Sequence, residues 1–582
     1  MTSQPPGEIT APLAQRIGWA VLILITLYIC YFSHLGVIGF VGPDEPRYAW
    51  IARDMAETGD WVTPRLYGKP WFEKPPLLYW GGAIFFRLFP GQPEVAARLT
   101  SAICALFATL TLAWLAWLTY GEACARSLLL LLPTSVGMIG FSHAAATDMP
   151  FAGILTIAMV CAAVALGLTR RVSGFVLTNL DVRDDNTPIL PRTPWLALIL
   201  FGFFLGLAVL AKGPAAIILS GGAVFFWAIF TKRWRDALRL LHPAAIASFC
   251  LTALPWYILC ARRNPDFFRI FIIEHNFKRY LTPEFQHIQP FWFYGIVLLV
   301  AFLPWTAAVL AAITIGIQRF RQGTHFGPTA LYLFSWSLFC LLFFTISRSK
   351  LPGYILPAIP ALGFLLARAC SLPPSKKSSV FRYFSMAGVL LFALGSGVMS
   401  VIAAITSHTS YSTSSLASSL CIVLFLYAIT NAFLWSAIAN SNASSIVPRV
   451  VVAVGLVAPL LVAMLSLNRL SAFLVFWDPS AKVVAEEILS HNIPTNNLAV
   501  HHMNRGMQYG LSFYVRKEIL DWSLTRPTTG YLLSGSRDCT QVVSDAAGCE
   551  EPPIYLERSR RFLYRLAPAS SLDRLGGRRQ PN

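Results

Sequence analysis

Five short motifs set ionisable side chains beside prolines and aromatics. They are GPDEPRYAW at 42–50, WFEKPPLLYW at 71–80, ATDMP at 146–150, AKGPAA at 211–216 and SKLPGY at 349–354. Asp44, Glu45, Glu73 and Asp148 are carboxylates, able to take a proton or to face developing positive charge. Arg47, Lys74, Lys212 and Lys350 are cations, able to hold an anion such as a phosphate. Tyr48 and Tyr354 add hydroxyl donors. Acid and cation together, repeated along the chain, describe a site for a substrate that is part anion.

The spacing says how these groups are presented. Asp44, Arg47, Tyr48, Ile51 and Met55 fall at helical intervals, so one face of a short interfacial helix carries Asp44, Arg47 and Tyr48. A carboxylate at the start of such a helix is favoured by its positive end. In WFEKPP the two prolines keep the chain extended and fix the direction of Glu73 and Lys74. Lys74 stands among Trp71, Phe72 and Tyr79, where an ammonium meets phosphate at headgroup depth. Asp148 opens an apolar run, directly before Met149 and Pro150. Lys212, Gly213 and Pro214 form a tight break between two such runs. Arg348 and Lys350 precede Leu-Pro-Gly-Tyr, an arrangement suited to an anionic lipid. The segment 262–294 is amphipathic, with Phe and Ile on one side and Glu274, His275, Asn276, Lys278 and Arg279 on the other, which predicts a second interfacial helix.

Each motif also has a purely structural reading. Asp44 and Asp148 are candidate helix N-caps, Lys74 a snorkelling residue of an aromatic belt, and Lys212 an interface anchor. His275 and His287 lack a spaced carboxylate partner, so a divalent metal is possible but not indicated, and no Cys/His spacing speaks for zinc. No other cofactor is implied.

The elements that must position these groups are membrane spans. Apolar residues make up 55% of the 582-residue chain and charged residues only 13%, with a mean hydropathy of +0.58. A disordered chain is excluded, because such chains are poor in apolar residues. A soluble multidomain enzyme is excluded too, because this much apolar surface cannot be hidden from water. The formal net charge of +18 comes from basic residues that mostly flank apolar runs, which assigns them to a membrane surface and not to nucleic acid. An α-helical polytopic membrane protein remains, with about thirteen transmembrane helices. They are expected near 17–37, 95–118, 127–142, 149–168, 195–211, 213–231, 243–261, 291–316, 328–346, 352–367, 383–405, 416–438 and 450–467, with 77–90 a shorter re-entrant or interfacial piece.

The organisation follows. Residues 1–13 and 570–582 are expected to be disordered tails, 14–469 the transmembrane domain with extracytoplasmic interfacial loops at 38–94 and 262–290, and 470–569 a small extracytoplasmic α/β domain. In that last part DPSAKVVAEEILSHN reads as an amphipathic helix, and NLAVHHM, FYVRKEIL, TGYLLSG and RFLYRLA as short strands. Cys539 and Cys549 could pair there in an oxidising compartment. Simple basic clusters at Arg170–Arg171, Lys232–Arg239, Arg319–Arg321 and Lys376–Arg382 put the alternate loops and the N-terminus in the cytoplasm. The mixed motifs then share the opposite face. The spans are nearly free of charge and no internal repeat is visible, which argues against an ion-coupled transporter.

The ordered motifs DExRY, FEKPP, TDxP, KGP and KLPGY resemble those of the aminoarabinose transferase and protein O-mannosyltransferase-like integral-membrane glycosyltransferases, and most of all the bacterial aminoarabinose transferases that modify lipid A. The motifs cover roughly 15–370. The resemblance implies a type C glycosyltransferase fold in a bacterial inner membrane. It also implies a sugar donor on undecaprenyl phosphate, a lipid A or other envelope acceptor, and a periplasmic active site. Carried over residue by residue, it makes Asp44 the catalytic residue and Lys74, Arg279 and Tyr354 ligands of the donor phosphate, with inversion at the transferred sugar. Glu45, Arg47, Tyr48, Glu73, Asp148, Lys212 and Lys350 complete the expected substrate site. A hydroxyl acceptor would make Asp44 a general base; a phosphate acceptor is already ionised and would leave Asp44 to orient the sugar or to stabilise oxocarbenium character. A protein O-mannosyltransferase and a polyprenyl-lipid flippase are the alternatives.

Overall fold

In the computed structural model the chain is described over residues 13–169, 194–271, 288–371 and 480–568, apart from 502, 526, 528, 536–546 and 560. Among the described residues seven helices are long and apolar enough to cross a membrane: Leu13–Tyr31, Pro93–Tyr120, Asp148–Ala165, Trp195–Lys212, Pro243–Arg263, Pro328–Ile346 and Pro352–Ser371. The pair Glu122–Leu131 and Val136–Ser142, bent by 61°, makes an eighth if it is one span. The expected count of about thirteen is therefore not reached among these residues, and the spans foreseen at 383–405, 416–438 and 450–467 lie outside them.

Two expected spans are broken. The run 127–142 bends at Leu132–Ser135, where Thr134 and Ser135 turn their hydroxyls onto the carbonyls of Leu130 and Leu132 at 2.5 and 2.7 Å. The run 291–316 divides into Phe293–Ala301 and Thr306–Arg321, separated by the cis Leu303–Pro304 peptide. Apolar composition is continuous through both breaks, so hydropathy alone does not reveal them. Leu77–Leu88 is a short apolar helix, in keeping with its 12 residues.

The long helices pack where glycine lets backbones close. A Cβ on Gly202 would stand 2.1 Å from the Ala245 carbonyl oxygen of Pro243–Arg263, and one on Gly206 2.8 Å from Thr252. Backbone cannot step aside as a flexible side chain can. Gly202→Val is therefore expected to lower stability in detergent by about 1–3 kcal/mol or more, read as an earlier thermal midpoint of the purified protein.

Between the first two long helices the chain builds the Asp44 helix, Asp44–Thr58, ended by Gly59 in the left-handed conformation. A hairpin of β1 (Arg65–Leu66) and β2 (Lys69–Pro70) follows, turned by Tyr67 and Gly68, both at positive φ, as two-residue hairpin turns require.

Residues 480–568 form a mixed sheet in the order β4-β3-β5-β7-β6: β3 Leu498–His501, β4 Leu520–Asp521, β5 Gly530–Ser534, β6 Ala547–Leu556 and β7 Arg561–Pro568. β3 pairs in parallel with β4 and β5, and β7 antiparallel with β5 and β6. The helix Ala481–Ser490 covers it with Val484, Ala485 and Ile488. FYVRKEIL corrects the expected strand: Phe513 and Tyr514 close a helix, Arg505–Tyr514, and only Leu520 of that stretch pairs in the sheet. Met507, Gly510 and Leu511 are buried on one helical face, a spacing that fits a helix and not a strand. β6 was not foreseen. Cys549 is disulfide-bonded; its partner is not among the described residues, where the other eight cysteines are free thiols, and Cys539 lies outside them.

Candidate active site

Pro43 precedes the Asp44 helix, and Asp44 is its first residue. Tyr48, Ile51 and Met55 turn inward against Leu66, Leu78, Tyr79 and Ala83. Asp44 stays about half exposed, at 52%. Arg47, one turn on, ties the site together. Its guanidinium donates to Asp44, to Glu73 Oε2 at 3.2 Å and to the Pro43 carbonyl at 2.9 Å. Its faces meet the rings of Trp71 and Tyr48 at 5.6 and 5.9 Å. Burial works against its charge, yet the carboxylates of Glu73 and Asp44 hold it well above the usual arginine range. Burial, then Glu73 and Asp44, likewise push the Tyr48 phenol well above its ordinary value, so Tyr48 stays a neutral donor. Lys74 Nζ lies 3.7 Å from Glu73 Oε1 and its side chain is mostly buried. Asp44, Arg47, Tyr48, Glu73 and Lys74 are thus one connected cluster. Its Asp44–Arg47 pair is the one read from i,i+3 spacing, but no side-chain bond of Asp44 caps the helix.

Two buried donors beside this cluster have no partner among the described residues: the Trp71 indole N–H and the hydroxyl of fully buried Tyr79. Such groups are costly to leave unbonded.

A second cluster gathers the later motifs. Asp148 begins the helix Asp148–Ala165, and Lys212 ends Trp195–Lys212; Lys212 Nζ meets Asp148 Oδ1 at 2.5 Å. The ammonium lies 4.8 Å over the Tyr354 ring and 5.6 Å from that of Phe151. Gly353 abuts Asp148 so closely that a Cβ would stand 2.6 Å from its Oδ1. Lys350, three residues earlier, is buried, and the Leu351 carbonyl accepts from Tyr294 at 3.3 Å. Phe72 joins the two clusters. It meets Phe267 edge-on at 5.3 Å and belongs to one apolar cluster with Leu210 and Trp256, which sets the Glu73–Lys74 segment near the end of the Lys212 helix. Arg279, with Lys278, His275 and His287, lies outside the described residues. Among the described residues no three His, Cys, Asp or Glu groups come together to hold an ion.

Glu45 is not where the sequence placed it. Its carboxylate is buried and takes both Arg98 Nε (2.9 Å) and Nη2 (2.7 Å), together with the N–H groups of Val41 and Ala145, each at 2.8 Å. Every face of it is spent inside the protein, so it corrects the expectation of a substrate ligand. Helical geometry turns neighbours by about 100°, which sends Asp44 outward and Glu45 in. Arg98 was missed by the sequence reading. Its signal was a lone arginine one turn into an apolar span, a position that demands a partner.

A family profile described as dolichyl-phosphate-mannose-protein mannosyltransferase matches residues 18–271, the stretch from the Asp44 motif through the Lys212 motif. Among curated proteins, the undecaprenyl phosphate-α-4-amino-4-deoxy-L-arabinose arabinosyl transferase of Aeromonas salmonicida is 32% identical over 394 residues, 68% of this chain and 67% of that one. Its namesake in Serratia proteamaculans is 31% identical over 66% of this chain and 67% of its own. The chain belongs to this family. The Enterobacter transferase aligns over 59% of its own length, less than two thirds. The fold agrees with the crystal structure of ArnT from Cupriavidus metallidurans bound to undecaprenyl phosphate, at a TM-score of 0.71 and 22% identity over 94% of this chain and 98% of that one. The protein is a membrane glycosyltransferase of the arabinosyl transferase family, with the ArnT fold.

Proposed function

We propose that the protein transfers 4-amino-4-deoxy-L-arabinose from undecaprenyl phosphate to a phosphate of lipid A. The observation that carries this reading is that one buried apolar cluster holds both Phe72, beside Glu73 and Lys74, and Leu210, beside Lys212. It gathers Lys74, Lys212 and Lys350 with Asp44, Glu73 and Asp148 at one end of apolar helices, where a lipid-borne phosphate and its sugar meet the polar phase. Family membership supports the donor and the sugar.

In the reaction, the bond from the anomeric carbon to the donor phosphate oxygen breaks, and a bond from that carbon to an acceptor phosphate oxygen forms. Undecaprenyl phosphate leaves with the electron pair. Lys74 and Arg279, with Tyr354 donating, stabilise the charge that grows on the leaving phosphate. Lys212 holds Asp148 and the face of Tyr354, fixing that ring. The acceptor phosphate is ionised at neutral pH and needs no base. Asp44 then faces the positive charge that develops at the sugar, and Arg47 and Glu73 hold it there. The active site faces the periplasm in a bacterial inner membrane.

Mass spectrometry of lipid A from cells with and without the protein tests this. An added pentosamine that depends on the protein is expected. Unchanged lipid A together with a glycosylated envelope protein would replace the reading by the protein O-mannosyltransferase one. Lys74→Met separates binding from chemistry. Losing a charge-assisted contact that is strongest to the leaving group predicts a kcat lower by about 10–100-fold, measured as single turnovers at saturating donor.

A further inference from the structure

The helix Arg505–Tyr514 of the C-terminal unit lies along the Asp44 helix. Gly506, Tyr509 and Phe513 share one of its faces, at intervals of three and four residues. They meet, in the same order, Gly42, Arg47 and Arg53. A Cβ on Gly506 would come within 3.0 Å of the Gly42 backbone. Arg53 donates to the Phe513 carbonyl at 3.0 Å and stands 4.1 Å over its ring. Between these two contacts, Tyr509 sets its ring 5.3 Å from the Arg47 guanidinium carbon. The seat is firm. Tyr514 donates to Glu94 at 2.9 Å and accepts from the Phe40 N–H at 3.0 Å, and Lys482 meets the same Glu94 at 2.9 Å.

Arg47 is the group through which Asp44 and Glu73 are joined. Each of its three nitrogens donates to one of Asp44, Glu73 and Pro43, and three aromatic rings stand around its central carbon. Trp71 and Tyr48 come from the same loop. Tyr509 comes from a segment more than 450 positions away in the chain. An aromatic face over a partly desolvated guanidinium attracts it and keeps water from it, which strengthens the two ion pairs it makes.

We propose that Tyr509 is a positioning residue of the active site: the C-terminal unit caps Arg47 with this ring and so holds Asp44 and Glu73 in register. The proposal rests on the reading of Asp44 as the group that faces the transferred sugar. It makes the C-terminal unit part of the catalytic machinery.

The test uses the full-length protein in detergent or liposomes, with two readouts. Transfer from the undecaprenyl-phosphate-linked sugar gives kcat and donor KM. Amide exchange across Asp44–Met55 and across Ala481–Ser490 reports order without any assay of activity. Tyr509→Ala is expected to lower kcat about tenfold, the order of a partly desolvated cation–π contact. Donor KM should stay within about twofold, the mark of a group that acts in the chemical step. Exchange should rise across Asp44–Met55 and not across Ala481–Ser490. Tyr509→Phe keeps the ring and should restore both. The proposal is overturned if Tyr509→Ala matches wild type in kcat and exchange, or if Tyr509→Phe fails as badly as Ala, which would give the role to the hydroxyl. It is also overturned if both helices lose protection together, which would make Tyr509 a general structural contact. Wild-type protein that transfers nothing would sink the aminoarabinose reading instead, and the exchange comparison would then decide the role of Tyr509 alone.

Discussion

Asp44→Asn is expected to abolish most transfer while leaving the protein folded and able to bind undecaprenyl phosphate. The substitution keeps size and shape and removes only the negative charge. A charge aimed at a transition state in a partly desolvated site is worth about 10²–10³ in rate, so single-turnover transfer should fall by that factor. The fold should hardly notice. Asp44 is half exposed and makes no capping bond to its helix, and Arg47 keeps Glu73 and the Pro43 carbonyl as partners. A thermal midpoint within a few degrees of wild type is therefore part of the prediction. So is donor binding, because the phosphate is assigned to Lys74, Arg279 and Tyr354. Transfer within tenfold of wild type would remove Asp44 from the chemistry. A flippase would tolerate the change, and that outcome would revive the flippase alternative. Loss of transfer with loss of folding would leave the assignment without support, and Asp44→Glu, which restores charge one methylene further out, should recover only part of the rate.

The pairing of Asp44 with Arg47 was legible because it is local: three residues on a helix bring them together whatever the rest of the chain does. Lys212 and Asp148 could each be picked out as polar groups at the edge of an apolar run, but their mutual bond spans 64 positions and depends on how two long helices pack. Tyr509 carried no signal. It lies between two stretches read as short strands, and its meaning comes from docking on a helix near the other end of the chain. Glu45 shows the opposite failure. Beside Asp44 it has the same charge and the same neighbours in sequence, and only the turn of the helix sends one carboxylate outward and the other into the protein. The broken spans were hidden for a related reason. Hydropathy counts apolar residues and says nothing of the Thr134 and Ser135 hydroxyls that return to the backbone, nor of a proline inside an apolar run.

Arg98→Met should cost more stability than any surface change in this protein, and the reason lies in what Arg98 leaves behind. The guanidinium donates to the carbonyls of Leu35 and Ile38 at 2.8 Å, to Gly39 at 3.0 Å, and to both oxygens of Glu45. Both side chains are nearly inaccessible, at 5% and 8%. Removing one partner of such a pair costs about 3–5 kcal/mol, because the other charge stays buried without compensation. Here three backbone carbonyls are stranded as well. A sharply lower thermal midpoint in detergent, with poor recovery of the purified protein, is the expected result. The double variant Glu45→Gln/Arg98→Met removes the stranded charge and should regain part of the loss, but not all of it, since the carbonyls of 35–39 remain unpaired. Full recovery would mean that the charge alone mattered, and a single variant as stable as wild type would mean that water solvates the site. The consequence reaches the chemistry by one peptide bond. Glu45 fixes the first turn of the helix whose first residue is Asp44, tied by the same carboxylate to Val41 and Ala145. With that pin loosened, any Arg98→Met protein that survives should transfer slowly at saturating donor, because Asp44 is no longer held where the sugar meets it.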